Sequence, residues 1–280
     1  MIDIHAHTTV SDGTDSPRAL VNNAIIQGID VLGVTDHDSV AGWEEASSAI
    51  RGKIKLALGA EISCLTLSGL SVHMVGLLFD GSDVAMLEML EQTRDDRIPR
   101  MLKMIDLLNA DGISVSMEDV NAVRPPGATL GRPHLADALV SIGFTKSRDD
   151  AFKGLLNNES KYYVAHMAPT PEHAIAQIRS SGGVAIIAHP FASHRGETLS
   201  PEDFLPLLNA GLNGIEVDHR DQTFEERKIL RQVAKVLDLA VTGSSDYHGA
   251  GKPNRLGENV TAPEEWAKLE SQARGKVVQI

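Results

Sequence analysis

Short apolar runs in this sequence end on, or carry, a histidine or a carboxylate. Ile2-Asp3-Ile4 leads into His5-Ala6-His7, with Asp12 just beyond. Val31-Leu32-Gly33-Val34 leads to Thr35-Asp36-His37, and Leu56-Ala57-Leu58-Gly59-Ala60 to Glu61. Val72-His73-Met74-Val75 carries the next candidate. Val184–Ala188 ends at His189, and Ala240-Val241-Thr242-Gly243 runs into Ser244-Ser245-Asp246-Tyr247-His248. Imidazole nitrogen and carboxylate oxygen are ligands of first-row divalent cations. A lone histidine after an apolar run carries little weight. His5 and His7 carry more, because alternate residues of a strand face the same way and a cation can bridge them. The force lies in the set of His5, His7, Asp12, His37, Glu61, His73, His189, Asp246 and His248. Three sites need roughly three to four ligands each, so this set suffices if one carboxylate is shared and waters complete the shells.

Side chains so far apart in sequence can meet only if the strands that carry them end at one rim. We read parallel strands near 2–5, 31–35, 55–62, 72–78, 184–188, 213–217 and 239–244. Several are continuous Val/Ile/Leu/Ala runs, as expected of strands covered on both faces. Helical patterns lie between many of them. One starts at Ser16-Pro17 and stops at Gly28. Another starts at Pro171-Glu172, with Ile175 and Ile178 on one face and Gly182-Gly183 as its stop, and a third covers Phe224 to Leu237. The alternation predicts a βα barrel. It breaks between about 80 and 165. There Leu87, Leu90, Ile98, Met101, Ile105 and Leu108 recur at helical spacing, with Pro99 as an expected kink. Met86, Met89, Met101 and Met104 read as packing residues. Arg124-Pro125-Pro126-Gly127 reads as a loop, and Pro133 to Gly143 as a further short helix. The expected organisation is a barrel formed by 1–79 and 166–280, with a mostly helical insert, 80–165, after the fourth strand and covering one side of the rim.

Composition narrows the function classes. The chain has 280 residues, 42% of them hydrophobic, and a formal net charge of −12. Bulk attraction to nucleic acid or to an anionic membrane is therefore not expected, nor is stable binding of long duplexes. No apolar run approaches the roughly 20 residues that span a bilayer. The first apolar segment already carries His5 and His7, which argues against a secretory signal. Cys64 is the only cysteine and is expected to be a buried, inert thiol, consistent with a cytoplasmic protein.

The motifs resemble those of the PHP (polymerase and histidinol phosphatase) superfamily. His5-Ala6-His7-Thr8 with Ser11-Asp12-Gly13 resembles its first motif and Thr35-Asp36-His37-Asp38 its second. Gly59-Ala60-Glu61-Ile62 with His73 resembles the third, and Ala188-His189-Pro190 with Ser245-Asp246-Tyr247-His248 the last. Gly131-Arg132-Pro133-His134 and Lys161-Tyr162-Tyr163 resemble the branch that contains the 3',5'-nucleotide bisphosphate phosphatases and the TrpH/RNase AM 5'→3' exoribonucleases. The resemblance implies an α/β fold, a distorted (βα)7 PHP barrel with the helical insert. It also implies three divalent ions (Mn2+, Fe2+ or Zn2+). His5, His7, Glu61 and Asp246 would hold the first. Glu61, His73 and His189 would hold the second, with Glu61 bridging, and Asp12, His37 and His248 the third. Asp12 stands where some members carry histidine, and oxygen ligation there would favour manganese or iron over zinc.

Metal-activated water attacking phosphorus in line would make this a phosphoesterase, with Glu61, Asp246 and His219 as the catalytic candidates. Substrate contacts need cationic groups that are not ligands. Arg132 at a helix start, Arg195 beyond His189, and Lys161 in the insert are candidates for phosphate; each could instead be a solvated surface charge. His134 could pack or touch substrate. His219 follows the strand Gly214 to Asp218 and is a candidate for a leaving-group contact. His194 could play the same part, whereas His166 and His173 read as surface residues. Asp36 and Asp38 could orient ligand imidazoles, and Asp38 could equally cap the next helix. Trp43 and Trp266 read as packing residues. The expected substrate is a 3',5'-bisphosphonucleotide losing its 3'-phosphate, short 5'-phosphorylated RNA degraded from its 5' end, or both. A histidinol-phosphate phosphatase and a non-catalytic metal-binding module are the alternatives.

Overall fold

The computed structural model describes residues 1–52, 54–165 and 167–279; the expectation for His166 lies outside them. Seven strands form one sheet in chain order: β1 (Ile2–Asp3), β2 (Val31–Val34), β3 (Lys55–Leu65), β4 (Ser71–Leu77), β5 (Val184–Ala188), β6 (Gly214–Asp218) and β7 (Ala240–Gly243). The chain beyond β7 returns to the chain beyond β1. Asp246 N donates to His5 O at 3.0 Å and His7 N to Tyr247 O at 2.8 Å, and Ala6 bridges Tyr247 in parallel, so the sheet curls into a barrel.

β5 shows why its run is apolar throughout. Val184, Ile186 and Ala188 join one cluster, with Val75, Leu77, Ala57, Val31 and Ile2, while Ala185 and Ile187 join another beneath the helices. Period-2 alternation thus buries both faces.

One expectation is corrected. β4 is not parallel; it runs antiparallel to both β3 and β5. The cause is the connection. Residues 66–70 form a tight hairpin, with Thr66 N donating to Leu70 O at 2.9 Å, whereas a parallel crossover needs about a dozen residues or more. β1 is also shorter than expected, its ladder resuming only at Ala6.

α1 (Pro17–Gln27) begins at a Ser16 cap and ends at Gly28 in the left-handed region, φ 74°. α2 (Trp43–Ser48) follows β2. The insert contains α3 (Val84–Asp95), α4 (Arg97–Ala110), α5 (Met117–Val123), α6 (Arg132–Ser141) and α7 (Arg148–Gly154). Pro99 does not kink a single helix. It has no N–H for the Asp95 carbonyl, and the helix is interrupted at Asp96, separating α3 from α4. Met86, Met89 and Leu90 of α3 pack into the barrel's outer cluster. Met101, Met104, Ile105 and Leu108 of α4 build a second core with Leu135, Leu139 and Val120. The second core is pinned to the barrel by polar ties: Arg97 to Asp38 and, at 2.8 Å, to Ser63 Oγ; Thr129 N to Val10 O at 2.8 Å; and Arg148 Nη1 to Asp12 O at 3.3 Å.

α8 (Pro171–Ser180), α9 (Phe204–Ala210) and α10 (Phe224–Leu237) cover the outside of the later strands. α11 (Pro263–Gln272) sends Trp266 and Leu269 into the cluster shared by the strands. Trp43 packs on Phe79 and donates from Nε1 to Gly59 O at 2.9 Å, so both tryptophans serve packing.

Candidate metal centre

The strand ends converge. His5 and His7 extend β1, His37 follows β2, Glu61 lies within β3, His73 within β4, His189 follows β5, and Asp246 and His248 follow β7. His73 is paired in register with Ser63 and Ala188, beside Glu61 and His189. Asp38, His189 and Asp246 adopt positive φ of 49°, 31° and 52°. Such conformations are costly for non-glycine residues and are tolerated where the surroundings over-determine them.

Glu61 is at the middle. Its Oε1 lies 2.8 Å from His73 Nδ1 and 3.2 Å from His189 Nε2. Its Oε2 lies 3.1 Å from His37 Nδ1, 3.2 Å from His7 Nε2 and 3.4 Å from His5 Nε2. The two oxygens face different histidines, as a bridging carboxylate requires. Three overlapping groups each bring their ligand atoms within 4.8 Å of one another: His5, His7, Glu61 and Asp246; His37, Glu61 and His73; and His7, Asp12, His37 and His248. Eight of the nine sequence candidates belong to these groups; His189, expected beside Glu61 and His73, belongs to none of them and adjoins the cluster through Glu61 Oε1. The grouping differs in detail from the expectation, with His37 beside Glu61 and His73 as well as beside Asp12.

The donor set fits divalent cations. His37 Nδ1 and His248 Nε2 are buried and without a hydrogen-bond partner, a costly state that a cation relieves. Metal binding needs ionised carboxylates and neutral imidazoles. Burial opposes ionisation of Glu61, yet His37, His73 and His5 hold its carboxyl well below the usual range. Burial is likewise outweighed at Asp12, chiefly by His248 and His37, and at Asp246, chiefly by Lys252 and His248. Burial and the Arg195 guanidinium push His189 down to about 3, and burial and Lys252 push His248 to about 4. His7 goes the other way. Burial lowers it, but Asp246 and Glu61 raise it to about 9, so without cations the cluster draws a proton instead.

Tautomers follow from the partners. The Asp246 carbonyl can only accept, so His248 Nδ1 at 2.8 Å donates and its Nε2 lone pair faces Asp12, 3.2 Å away. The Asp221 N–H can only donate, so His219 Nδ1 accepts at 3.0 Å; Nε2 carries the proton, 3.3 Å from Asp246 Oδ2.

The carboxylate beside His5 is Glu216, which sequence reasoning missed. Its Oε1 lies 3.0 Å from His5 Nδ1, and Oε2 accepts the His189 N–H at 2.8 Å. Its signal was a lone acid inside the apolar strand Gly214-Ile215-Glu216-Val217, at the inward register. Asp36 and Asp38 do not orient imidazoles as expected. Asp36 accepts from Thr8 N and Ser11 Oγ at 2.8 and 2.7 Å, fixing the turn that carries Asp12. Asp38 caps no helix; it accepts Ser63 N at 2.8 Å and pairs with Arg97.

Cationic groups gather on the far oxygen of Asp246. Arg195 Nη2 is 3.3 Å and Lys252 Nζ 2.9 Å from Oδ2, the side that His219 also faces. Lys252 was not legible, because the residues after His248 have no periodic pattern. Arg132 reaches Asn158 Oδ1 at 2.7 Å, and Asn158 Nδ2 donates to Arg195 O at 3.3 Å, linking the insert to the rim. His134 is buried, and its Nδ1 accepts Gly131 N at 3.1 Å at the start of α6. Arg132 and His134 make no hydrogen bond to the cluster, and two further candidates are also left outside it. Lys161 pairs with Asp111 in the insert, and His194 is exposed, 3.6 Å from Asp221.

The PHP domain model matches residues 3–104. The chain is 35% identical over 260 residues to a 5'-3' exoribonuclease of Haemophilus influenzae, covering 92% of this chain and 93% of that one. It is 31% identical to a 3',5'-nucleoside bisphosphate phosphatase of Chromobacterium violaceum, with 91% and 89% covered. Among solved structures, an inferred metal-dependent phosphoesterase from Bifidobacterium adolescentis superposes with a TM-score of 0.91 at 38% identity, over 97% of this chain and 96% of that one. With this level of identity across nearly its whole length, the chain belongs to the PHP domain family.

Proposed function

We propose that the chain is a metal-dependent phosphoesterase that hydrolyses a phosphoryl group esterified at a nucleotide 3'-oxygen. The substrate is a 3',5'-bisphosphonucleotide, the 5' end of short RNA, or both. The observation that carries this reading is Glu61, a buried carboxylate whose two oxygens divide five histidines between them at one rim. His5, His7, Glu61 and Asp246 would hold one ion, Glu61, His73 and His189 a second, and Asp12, His37 and His248 a third. Manganese, iron or zinc suits these ligands. Bound divalent ions there would lower the pKa of water and neutralise charge on the phosphoryl oxygens.

The chain's own residues supply the rest. Arg195 and Lys252 on the outer oxygen of Asp246 offer charge-assisted donors to non-bridging phosphoryl oxygens. His219 presents its Nε2 proton beside them, where a leaving oxygen would be protonated. Glu216 and Asp36 hold His5 and the Asp12 turn in place. The insert, tied down by Arg97 and Arg148, limits the mouth to chain ends. Among the described residues no helix is long and apolar enough to cross a membrane, and we place the activity in the cytoplasm.

The test pairs elemental analysis of the purified protein with two assays: phosphate release from adenosine 3',5'-bisphosphate, and mononucleotide release from a 5'-phosphorylated oligoribonucleotide. Turnover of at least one is expected. Metal-replete protein inert on both, or active on histidinol phosphate instead, overturns the proposal.

A further inference from the structure

Two arginines of the insert hold one residue of the barrel, and that residue follows a metal-ligand candidate. Arg94 lies in the last turn of α3, and Arg97 is the first residue of α4. From either side of the break at Asp96 they meet at Asp38. Arg94 Nη1 donates to the Asp38 carbonyl, and Arg97 Nη2 donates to Asp38 Oδ2. The other two polar groups of Asp38 belong to β3. Its N–H donates to the Glu61 carbonyl at 3.0 Å, and its Oδ1 accepts the Ser63 N–H at 2.8 Å. Arg97 Nη2 also reaches Ser63 Oγ at 2.8 Å, and its Nη1 donates to the Leu130 carbonyl at 3.0 Å. Asp38 and Arg97 are both buried.

Asp38 needs this hold. Its φ of 49° is unfavourable for a residue with a Cβ and persists only where the surroundings over-determine it. Its carboxylate is out of water, and a buried charge is costly without a partner. Among the described residues Arg97 is the one cation paired with it. Asp38 touches no imidazole, but its backbone continues directly from His37. The chain before His37 is held by β3, because Glu61 N donates to the Thr35 and Asp36 carbonyls at 3.1 and 3.2 Å. The chain after it is held partly by the insert. The His37 ring stands between two carboxylates, with Nδ1 3.1 Å from Glu61 Oε2 and Nε2 3.8 Å from Asp12 Oδ2. A neutral imidazole offers one lone pair. The setting of the ring therefore decides which cation it can serve, and that setting starts at the backbone of His37 and Asp38.

We infer that Arg97 is a positioning residue: through Asp38 it fixes the backbone that carries His37, so that the insert sets how tightly the metal centre holds the ion bound by His37. This rests on the metal centre proposed above. It adds that the barrel's ligands are fully placed only when the insert is docked. Groups that orient a ligand without touching the metal commonly account for about 10–100-fold in metal affinity.

The experiment titrates Mn2+ into the full-length protein after chelator treatment, with free and bound metal followed by electron paramagnetic resonance. Wild type is compared with Arg97→Gln, Arg97→Lys, His37→Ala and the double variant His37→Ala/Arg97→Gln. Arg97→Gln should weaken Mn2+ at one site by roughly tenfold or more and leave the others as in wild type, with Arg97→Lys in between. In the His37→Ala background the same substitution should change nothing further, because the ligand it positions is gone. Equal Mn2+ binding by wild type and Arg97→Gln overturns the inference. Weakening of every site alike, or a loss that adds in full to that of His37→Ala, also overturns it, since either means general loosening of the fold. Wild-type protein that binds no Mn2+ overturns the metal centre itself, and this inference with it. Circular dichroism checks folding. Where Arg97→Gln does not fold, Arg94→Met, which frees only the Asp38 carbonyl, takes its place under the same criteria.

Discussion

Glu61→Gln tests the bridged centre directly. The substitution keeps the side chain's volume and its place within β3, so packing around its 1% exposed carboxylate is preserved. It removes the negative charge and turns one acceptor oxygen into an NH2 donor. Either orientation is wrong. If the NH2 replaces Oε1, it points at His73 Nδ1 and His189 Nε2, 2.8 and 3.2 Å away; if it replaces Oε2, it faces His37, His7 and His5 at 3.1, 3.2 and 3.4 Å. No rotamer serves both sides, so the bridge is lost on at least one. Removing one partner of a buried charged group costs about 3–5 kcal/mol. At about 1.4 kcal/mol per tenfold in rate, that corresponds to a loss of roughly two to four orders of magnitude in kcat/KM. The assay is turnover at saturating metal beside elemental analysis after desalting, with far-UV circular dichroism to confirm the fold. Metal content is expected to fall together with rate. A folded variant that keeps its full metal content and a rate within tenfold of wild type would refute the reasoning.

Further outcomes follow from individual contacts. Glu216→Gln should weaken metal affinity and turnover about 10–100-fold, because His5 loses the carboxylate that fixes its ring; a metal titration matching wild type counts against this. Gly33→Ala should destabilise by more than about 3 kcal/mol in denaturant unfolding, since a Cβ there would lie 2.1 Å from the Ile4 carbonyl oxygen; a shift under 1 kcal/mol, set against the same roughly 3 kcal/mol scale, argues that β1 and β2 are further apart. Cys64 is fully buried and its thiol is pushed well above its ordinary value by burial and by Asp38. A thiol reagent should therefore label the native protein only after denaturant is added, and rapid native labelling would contradict this placement.

How much of this was legible in the sequence depends on what kind of signal each residue gave. Most of the nine convergent side chains were visible because they follow or end an apolar run, and the end of a parallel strand is also a barrel's rim; Glu61 and His73 lie inside their strands and Asp12 in the turn beyond His7. The direction of β4 was written in the shortness of residues 66–70, a connection length rather than a residue pattern. The helices α1, α8 and α10 announced themselves through Ser16-Pro17, Pro171-Glu172 and the pattern of Phe224 to Leu237, and the structure caps them with Ser16, Thr170 and Thr223. Lys161 and Lys252 lie in segments with no period, so nothing in the sequence said that the first turns to Asp111 and the second to Asp246.

The most informative residues were charges placed at inward positions. Glu216 interrupts the alternation of β6, with Ile215 and Val217 facing the outer cluster on either side. Arg97 and Arg100 occupy the same face of α4 as Met101, Met104 and Leu108, all buried. On a strand with period 2 or a helix with period 3.6, a charge at such a position must find a partner or be costly. Glu216 finds His5, and Arg97 finds Asp38. Arg100 finds the Val164 carbonyl and the face of Tyr163, which attract a cation but cannot neutralise it.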